Sequence, residues 1–163
     1  MNSVALFGIQ FVWFLVVWTT IAELFVKPLV QRSEINDQLS IWLLPQLFRM
    51  LGVGLLVQNL APDLPYSFGL PTAIGDAITA VFAFVAIIAL QKKWSSARSF
   101  VFVCNGIGSL DLLIALPHAA LTQAPIYLAA QWYVPAAVVP LMIVSHIMLW
   151  RTLLHDHPKQ GPT

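Results

Sequence analysis

Four charged side chains lie inside long apolar runs of the chain: Glu23, Arg49, Asp76 and Asp111. In hydrocarbon such a group costs about 2.5–3.5 kcal/mol on insertion scales, so each should face the interior of a bundle and find a partner there. Asn105 shares a run with Asp111, and His146 sits within a fifth. Counted at about 1.5 Å per residue from the ends nearest the basic residues, Glu23, Arg49, Asn105 and His146 all fall roughly 10–14 Å in, on four different runs, and could share one layer. In that layer Arg49 could hold an anion or a carboxylate while Glu23 or His146 exchanges protons. A structural use competes with this one. Glu23 and Lys27, four residues apart, can pair along one helix, and Arg49 can bond Asn105 and backbone carbonyls to fix packing.

Asp76 and Asp111 occupy the opposite half, each about 10–14 Å from the other ends of adjacent runs. Two carboxylates at similar depth suit a proton relay or a cation site, or else interhelical hydrogen bonds. Tyr133 and Gln131 could join them. Cys104, Gly108, Asp111, Ala115 and His118 recur at helical spacing and predict one small, polar, inward-facing stripe. His118 lies two turns beyond Asp111, about 10.5 Å along the axis, too far for both to ligate one metal from a regular helix. Taken alone, His118 also suits an interfacial polar position. Haem between His118 and His146 is disfavoured because antiparallel helices place them near opposite faces. No metal and no cofactor is expected.

The elements that must position these groups follow from hydropathy. Of 163 residues, 59% are apolar and 9% charged, against roughly 25% charged in an ordinary soluble domain. The mean hydropathy is +0.81, and a fold of this size could not hide so much apolar surface from water. Runs of about 20 apolar residues predict five transmembrane helices near residues 4–30, 39–60, 69–91, 98–120 and 127–154, forming one all-α domain. Their short connections force neighbouring helices to run antiparallel. Residues 155–163 read as a flexible cytoplasmic tail.

Alternation places Lys27, Arg32, Lys92, Lys93, Arg98, Arg151 and Lys159 on one side and no Lys or Arg in the loops of the other. The positive-inside rule then sets the N-terminus outside and the C-terminus in the cytoplasm, in a bacterial-type inner (plasma) membrane. Omitting any of the three middle helices would scatter the basic loops to both sides. Trp42, Trp94 and Trp150 fall near the cytoplasmic interface, where indoles are favoured. The N-terminal stretch lacks a basic leader and is too long for a signal peptide, so it reads as a retained helix.

Pro135 and Pro140 should free the carbonyls of Gln131 and Ala136 and allow a kink, as in transporters with broken helices and in many ordinary membrane helices. The pairs Gly52 and Gly54, Gly106 and Gly108, and Gly75 with Thr79 and Ala83 predict close helix packing. Cys104 reads as a small buried hydrophobe. His155-Asp156-His157 offers too few fixed ligands for a metal and reads as a solvated end. No phosphate loop, dinucleotide fingerprint, paired CxxC, HExxH or nucleophile elbow occurs, so familiar soluble catalysis has no basis here. The net charge of +1 gives no reason to expect nucleic acid as a partner.

The stretch Leu64-Pro65-Tyr66-Ser67-Phe68, followed by Leu70-Pro71-Thr72-Ala73-Ile74-Gly75-Asp76, together with Phe48-Arg49 and the Asn105–Asp111 element, resembles a pattern in small uncharacterised bacterial polytopic membrane proteins. The resemblance implies a fold and no activity, with Arg49, Asp76, Asn105 and Asp111 belonging to one shared design. The leading functional expectation is a pathway or pocket for a proton, small cation or small solute. Asp76 and Asp111 would lie toward the outside, Arg49 and Glu23 toward the cytoplasm. The alternatives are a non-catalytic accessory or assembly subunit of a larger membrane complex or homo-oligomer, and an intramembrane lipid-modifying enzyme using the aspartates as acid and base.

Overall fold

The computed structural model describes residues 3–155. The expected tail, with Asp156, His157 and Lys159, lies outside the described residues. Five helices long and apolar enough to cross a membrane account for nearly all of the described chain: α1 (Ser3–Val30), α2 (Ile35–Leu56), α3 (Tyr66–Gln91), α4 (Ala97–Leu121) and α5 (Ala129–His155). No strand occurs among the described residues.

The helices fall into two groups. α2, α3, α4 and α5 close on one another around a shared interior, and α1 lies outside that group, packed mainly on α5. The close approach of α3 to its neighbours follows from its composition. Ala73, Ala80, Ala83, Ala86 and Ala89 form one buried stripe, and small side chains let helix backbones come near. Leu39, Leu43, Val101 and Leu149 fill the remaining space at the end of the bundle where α3 stops. α3 closes with Lys93 in the left-handed region (φ 55°). The Trp94 N–H returns to the Ala89 carbonyl and the Lys93 N–H to that of Leu90, the paired bonds of a Schellman stop.

α1 is held differently. None of Ser3–Ile21 is buried, and two indoles tie the helix to α5. Trp18 Nε1 donates to the Ala137 carbonyl at 2.9 Å, and Trp132 Nε1 donates to Gln10 Oε1 at 2.6 Å. Trp18 thus bonds the carbonyl next to that of Ala136, the one Pro140 was expected to free, in a stretch of α5 that contains a π turn over Val134–Val138. A second π turn, Ala22–Val26 in α1, directly precedes the turn that contains Pro28.

Much of the outer surface is apolar, including Trp13, Leu24, Phe25, Phe84, Leu113 and Leu121. The three indoles expected near the cytoplasmic interface have different surroundings. Trp42 is buried, and Trp150 turns inward to donate to Ser109 Oγ at 3.2 Å; Trp94 is exposed.

Candidate functional site

The bundle interior is organised by Arg49, whose side chain is fully buried. Local backbone geometry places it. The second half of α2, Phe48–Leu56, is a 3₁₀ helix of nine residues, far longer than the three or four usual for such a helix. At three residues per turn, side chains at i and i+3 eclipse, so Arg49, Gly52 and Leu55 form one row facing α3 and the interior.

Every N–H of the guanidinium is directed at a partner. Nε donates to Gln46 Oε1 at 3.1 Å. Nη1 donates to Asp76 Oδ1 at 2.9 Å and to Asp111 Oδ2 at 2.6 Å. Nη2 donates to the Gly108 carbonyl at 2.9 Å and makes a longer contact of 3.5 Å with His146 Nε2. Because a guanidinium can only donate, His146 Nε2 is the acceptor and the imidazole proton sits on Nδ1. That nitrogen donates to Asn105 Oδ1 at 2.5 Å, while Asn105 Nδ2 reaches the His146 carbonyl at 3.4 Å. Gln46 is fixed in turn by bonds to Ser145 Oγ at 2.8 Å and the Met142 carbonyl at 3.2 Å, and Ser145 Oγ donates to the Trp42 carbonyl at 2.5 Å. One connected network thus joins α2, α3, α4 and α5.

Three glycines make room for it. A Cβ on Gly52 would overlap the Asp76 carboxylate, one on Gly75 the Asp111 carboxylate, and one on Gly108 the His146 ring and the Thr79 methyl. These glycines admit polar side chains where the sequence suggested backbone-to-backbone packing. Gly54 plays the same part for Gln131, a buried residue whose Oε1 has no hydrogen-bond partner.

Charge does not balance inside the cluster, since one guanidinium faces two carboxylates. Both carboxylates also line a cavity of about 620 Å³. Its walls come from α1 (Val4, Phe7, Gly8, Phe11, Val12), Gly52 and Leu55 of α2, Phe68 and Thr72 of α3, Leu112, Ala115, Leu116, Ala119 and Ala120 of α4, Gln123, Ala124, Pro125, Ile126 and Leu128 of the connection, and Val134, Pro135 and Val139 of α5. Among those lining residues only Asp76 and Asp111 are ionisable, and most of the rest are apolar. Thr72, one turn from Asp76 on α3, also lines the cavity, its hydroxyl donating to the Phe68 carbonyl at 2.8 Å.

The expected site residues separate into two sets. Arg49, Asp76, Asp111, Asn105 and His146 come together, so the two expected layers are one. The depth of Arg49 explains this. α2 begins at Ile35, earlier than the 39 expected from hydropathy, which puts Arg49 about 20 Å from that end and level with the aspartates. Glu23 is not in this cluster. It pairs with Lys27 Nζ at 2.7 Å and with Arg151, beside a polar pocket lined also by Gln31, Gln38 and Thr152. Tyr133 is 69% exposed and does not join the aspartates. His118 packs edge-on against Phe68, ring centroids 5.5 Å apart, away from the carboxylates. Gln46, Ser145 and the Gly108 carbonyl are the functional partners that the sequence left unmarked, although Gln46 stands three residues before Arg49, a helical neighbour spacing. Among the described residues no group of three His, Cys, Asp or Glu is placed to hold a metal ion.

Fold and site together define an all-helical protein with five potential membrane-spanning helices, organised around a buried arginine shared by two carboxylates. The chain belongs to the family described as a domain of unknown function (DUF8737), whose model matches residues 6–154. No curated protein and no solved structure matches it.

Proposed function

We propose that this is a multi-pass membrane protein whose Arg49–Asp76–Asp111 cluster forms the polar end of a binding pocket for a proton, small cation or small solute. The observation that carries this reading is that both carboxylates share one guanidinium and both open onto the same apolar cavity. A cluster serving packing alone has no need to open onto a cavity. Here a bound proton or cation supplies the missing positive charge, and Arg49 holds both carboxylates in place while the guest comes and goes.

Lipid is the surrounding medium in this proposal. It is supported by five apolar helices whose outer faces carry large hydrophobic side chains, since a water-exposed surface of that kind would aggregate. Up-and-down connection brings Lys27, Arg32, Lys92, Lys93, Arg98 and Arg151 to one end, which supports a cytoplasmic C-terminus and an external N-terminus.

The test is flux in liposomes containing the purified protein, followed with an internal pH dye and with radiolabelled cations. Wild type should move a proton or cation, and Asp76→Asn and Asp111→Asn should each abolish movement while remaining monodisperse. Absence of any flux, with both substitutions merely lowering thermal stability, overturns the transport reading. A C-terminal label reachable from outside intact cells overturns the orientation.

A further inference from the structure

We infer that the cavity takes a hydrophobic organic monocation, an ammonium group attached to a compact apolar body, with its charged end between Asp76 and Asp111. The inference rests on the pocket reading above and narrows it to a ligand class. A volume of about 620 Å³ is in the range that accepts drug-sized molecules. The walls offer such a molecule aliphatic and aromatic surface, with Phe7, Phe11 and Phe68 among them, and the ionisable groups are gathered at one place. Charge then selects among guests. An anion meets two carboxylates, and the guanidinium is fully buried behind them. A neutral molecule fills the apolar walls and leaves the second carboxylate to be neutralised by a proton, so it gains nothing from the charge. A bare inorganic cation gains two carboxylates and the Thr72 hydroxyl, and little else replaces its water. An apolar monocation satisfies both the wall and the charge.

The route in is set by α1. This helix packs on α5 and on the 124–127 turn, and the cavity separates it from α4. A Cβ at Gly8, on the cavity wall, would meet nothing within 4 Å. A side chain added there starts in open space at the cavity wall, clear of the packed interior.

Three probes of one shape decide the matter: 1-adamantylamine, the neutral 1-adamantanol and the anionic 1-adamantanecarboxylate. Binding is measured on the purified protein in nanodiscs of zwitterionic lipid, with protein-free discs as the blank. The amine should bind at least about tenfold more tightly than the alcohol, and the carboxylate should not bind. Asp76→Asn and Asp111→Asn should each bring the amine down to the affinity of the alcohol. Retained alcohol binding in those variants shows that the pocket is still formed. Gly8→Trp should remove binding of amine and alcohol together. Equal binding of amine and alcohol to wild type, or a preference for the amine that survives both substitutions, overturns the cation assignment and leaves the pocket standing. Binding of none of the three overturns both.

Discussion

Two ion triads of opposite sign are built into this bundle. In the interior, one cation, Arg49, lies between two carboxylates, Asp76 and Asp111. At the end of the bundle where α1 and α5 finish, one carboxylate, Glu23, lies between two cations, Lys27 and Arg151. The stoichiometry is inverted and so is the surrounding medium. Arg49 is 0% exposed and its carboxylates about one-sixth exposed, whereas Glu23, Lys27 and Arg151 are 32%, 40% and 54% exposed. The interior triad has every guanidinium N–H directed at a partner, because an unpaired donor away from water has no other source of stabilisation. The peripheral triad borders a polar pocket, and water and salt can complete whatever it lacks. Ion-pair geometry alone therefore does not rank the two. What ranks them is how much each charge loses when its partner is removed.

The largest effect should come from Arg49→Met. Removing the guanidinium leaves two carboxylates facing each other in the interior, and breaking a buried pair in this way costs about 3–5 kcal/mol. Chemical unfolding in detergent micelles would register it as a large fall in midpoint. The comparison sharpens if Arg49→Met is then combined with Asp76→Asn and Asp111→Asn. With no charge left to strand, the triple variant should recover most of the lost stability. Recovery would mean that the interior charges are retained for binding and contribute little net stability. A triple variant as unstable as the single one would make the network a structural necessity and weaken the contrast.

A smaller effect separates two glycines on one helix. On Gly108 an added Cβ lies 2.6 Å from His146 Cε1 and 2.7 Å from the Thr79 methyl, while on Gly106 it meets nothing within 4 Å. Gly108→Ala must shift either the His146 ring or α3, and overpacking of this kind costs about 1–3 kcal/mol. Gly106→Ala should be neutral or stabilising by up to about 1 kcal/mol, since alanine is the better helix former. The same unfolding measurement reads both. Equal losses at the two positions would show that the interior network has no special demand for space.

This pair also shows what the sequence could and could not disclose. The five apolar runs and the inward stripe from Cys104 to His118 were legible because hydropathy and a period near 3.6 residues report burial directly. The meeting of Arg49 with Asp76 and Asp111 was hidden by two local departures from a regular apolar helix. α2 begins in the polar stretch Ile35–Gln38, which hydropathy passes over, and it continues as a 3₁₀ helix, whose three-residue repeat aligns Arg49 with Gly52 and Leu55. At the start of α5, a 3₁₀ turn over Ala129–Gln131 precedes Tyr133 and a π turn over Val134–Val138 follows it. Gln131 is buried there while Tyr133 is exposed. Pairing of Glu23 with Lys27 was legible from their spacing of four. Arg151 as its second partner was not, because that contact depends on how α1 docks on α5. The glycines were visible as small residues, but which of them face a polar side chain is a property of the assembled bundle.

The smallest effect belongs to Glu23. Glu23→Gln keeps the size of the side chain and removes the charge shared by Lys27 and Arg151, and exposed pairs of this kind contribute about 0.2–1 kcal/mol. The two cations left behind repel one another in a medium open to water and counter-ions. The loss should therefore shrink further at about 1 M salt, where screening acts over roughly 3 Å. The loss in Arg49→Met should remain several times larger than that in Glu23→Gln at both ionic strengths, because screening by salt does not replace the hydrogen bonds of a fully buried guanidinium. Unfolding midpoints of both variants at two ionic strengths test this directly. A salt-independent loss of several kcal/mol in Glu23→Gln would place the peripheral triad in the same energetic class as the interior one, and burial would then not be what distinguishes them.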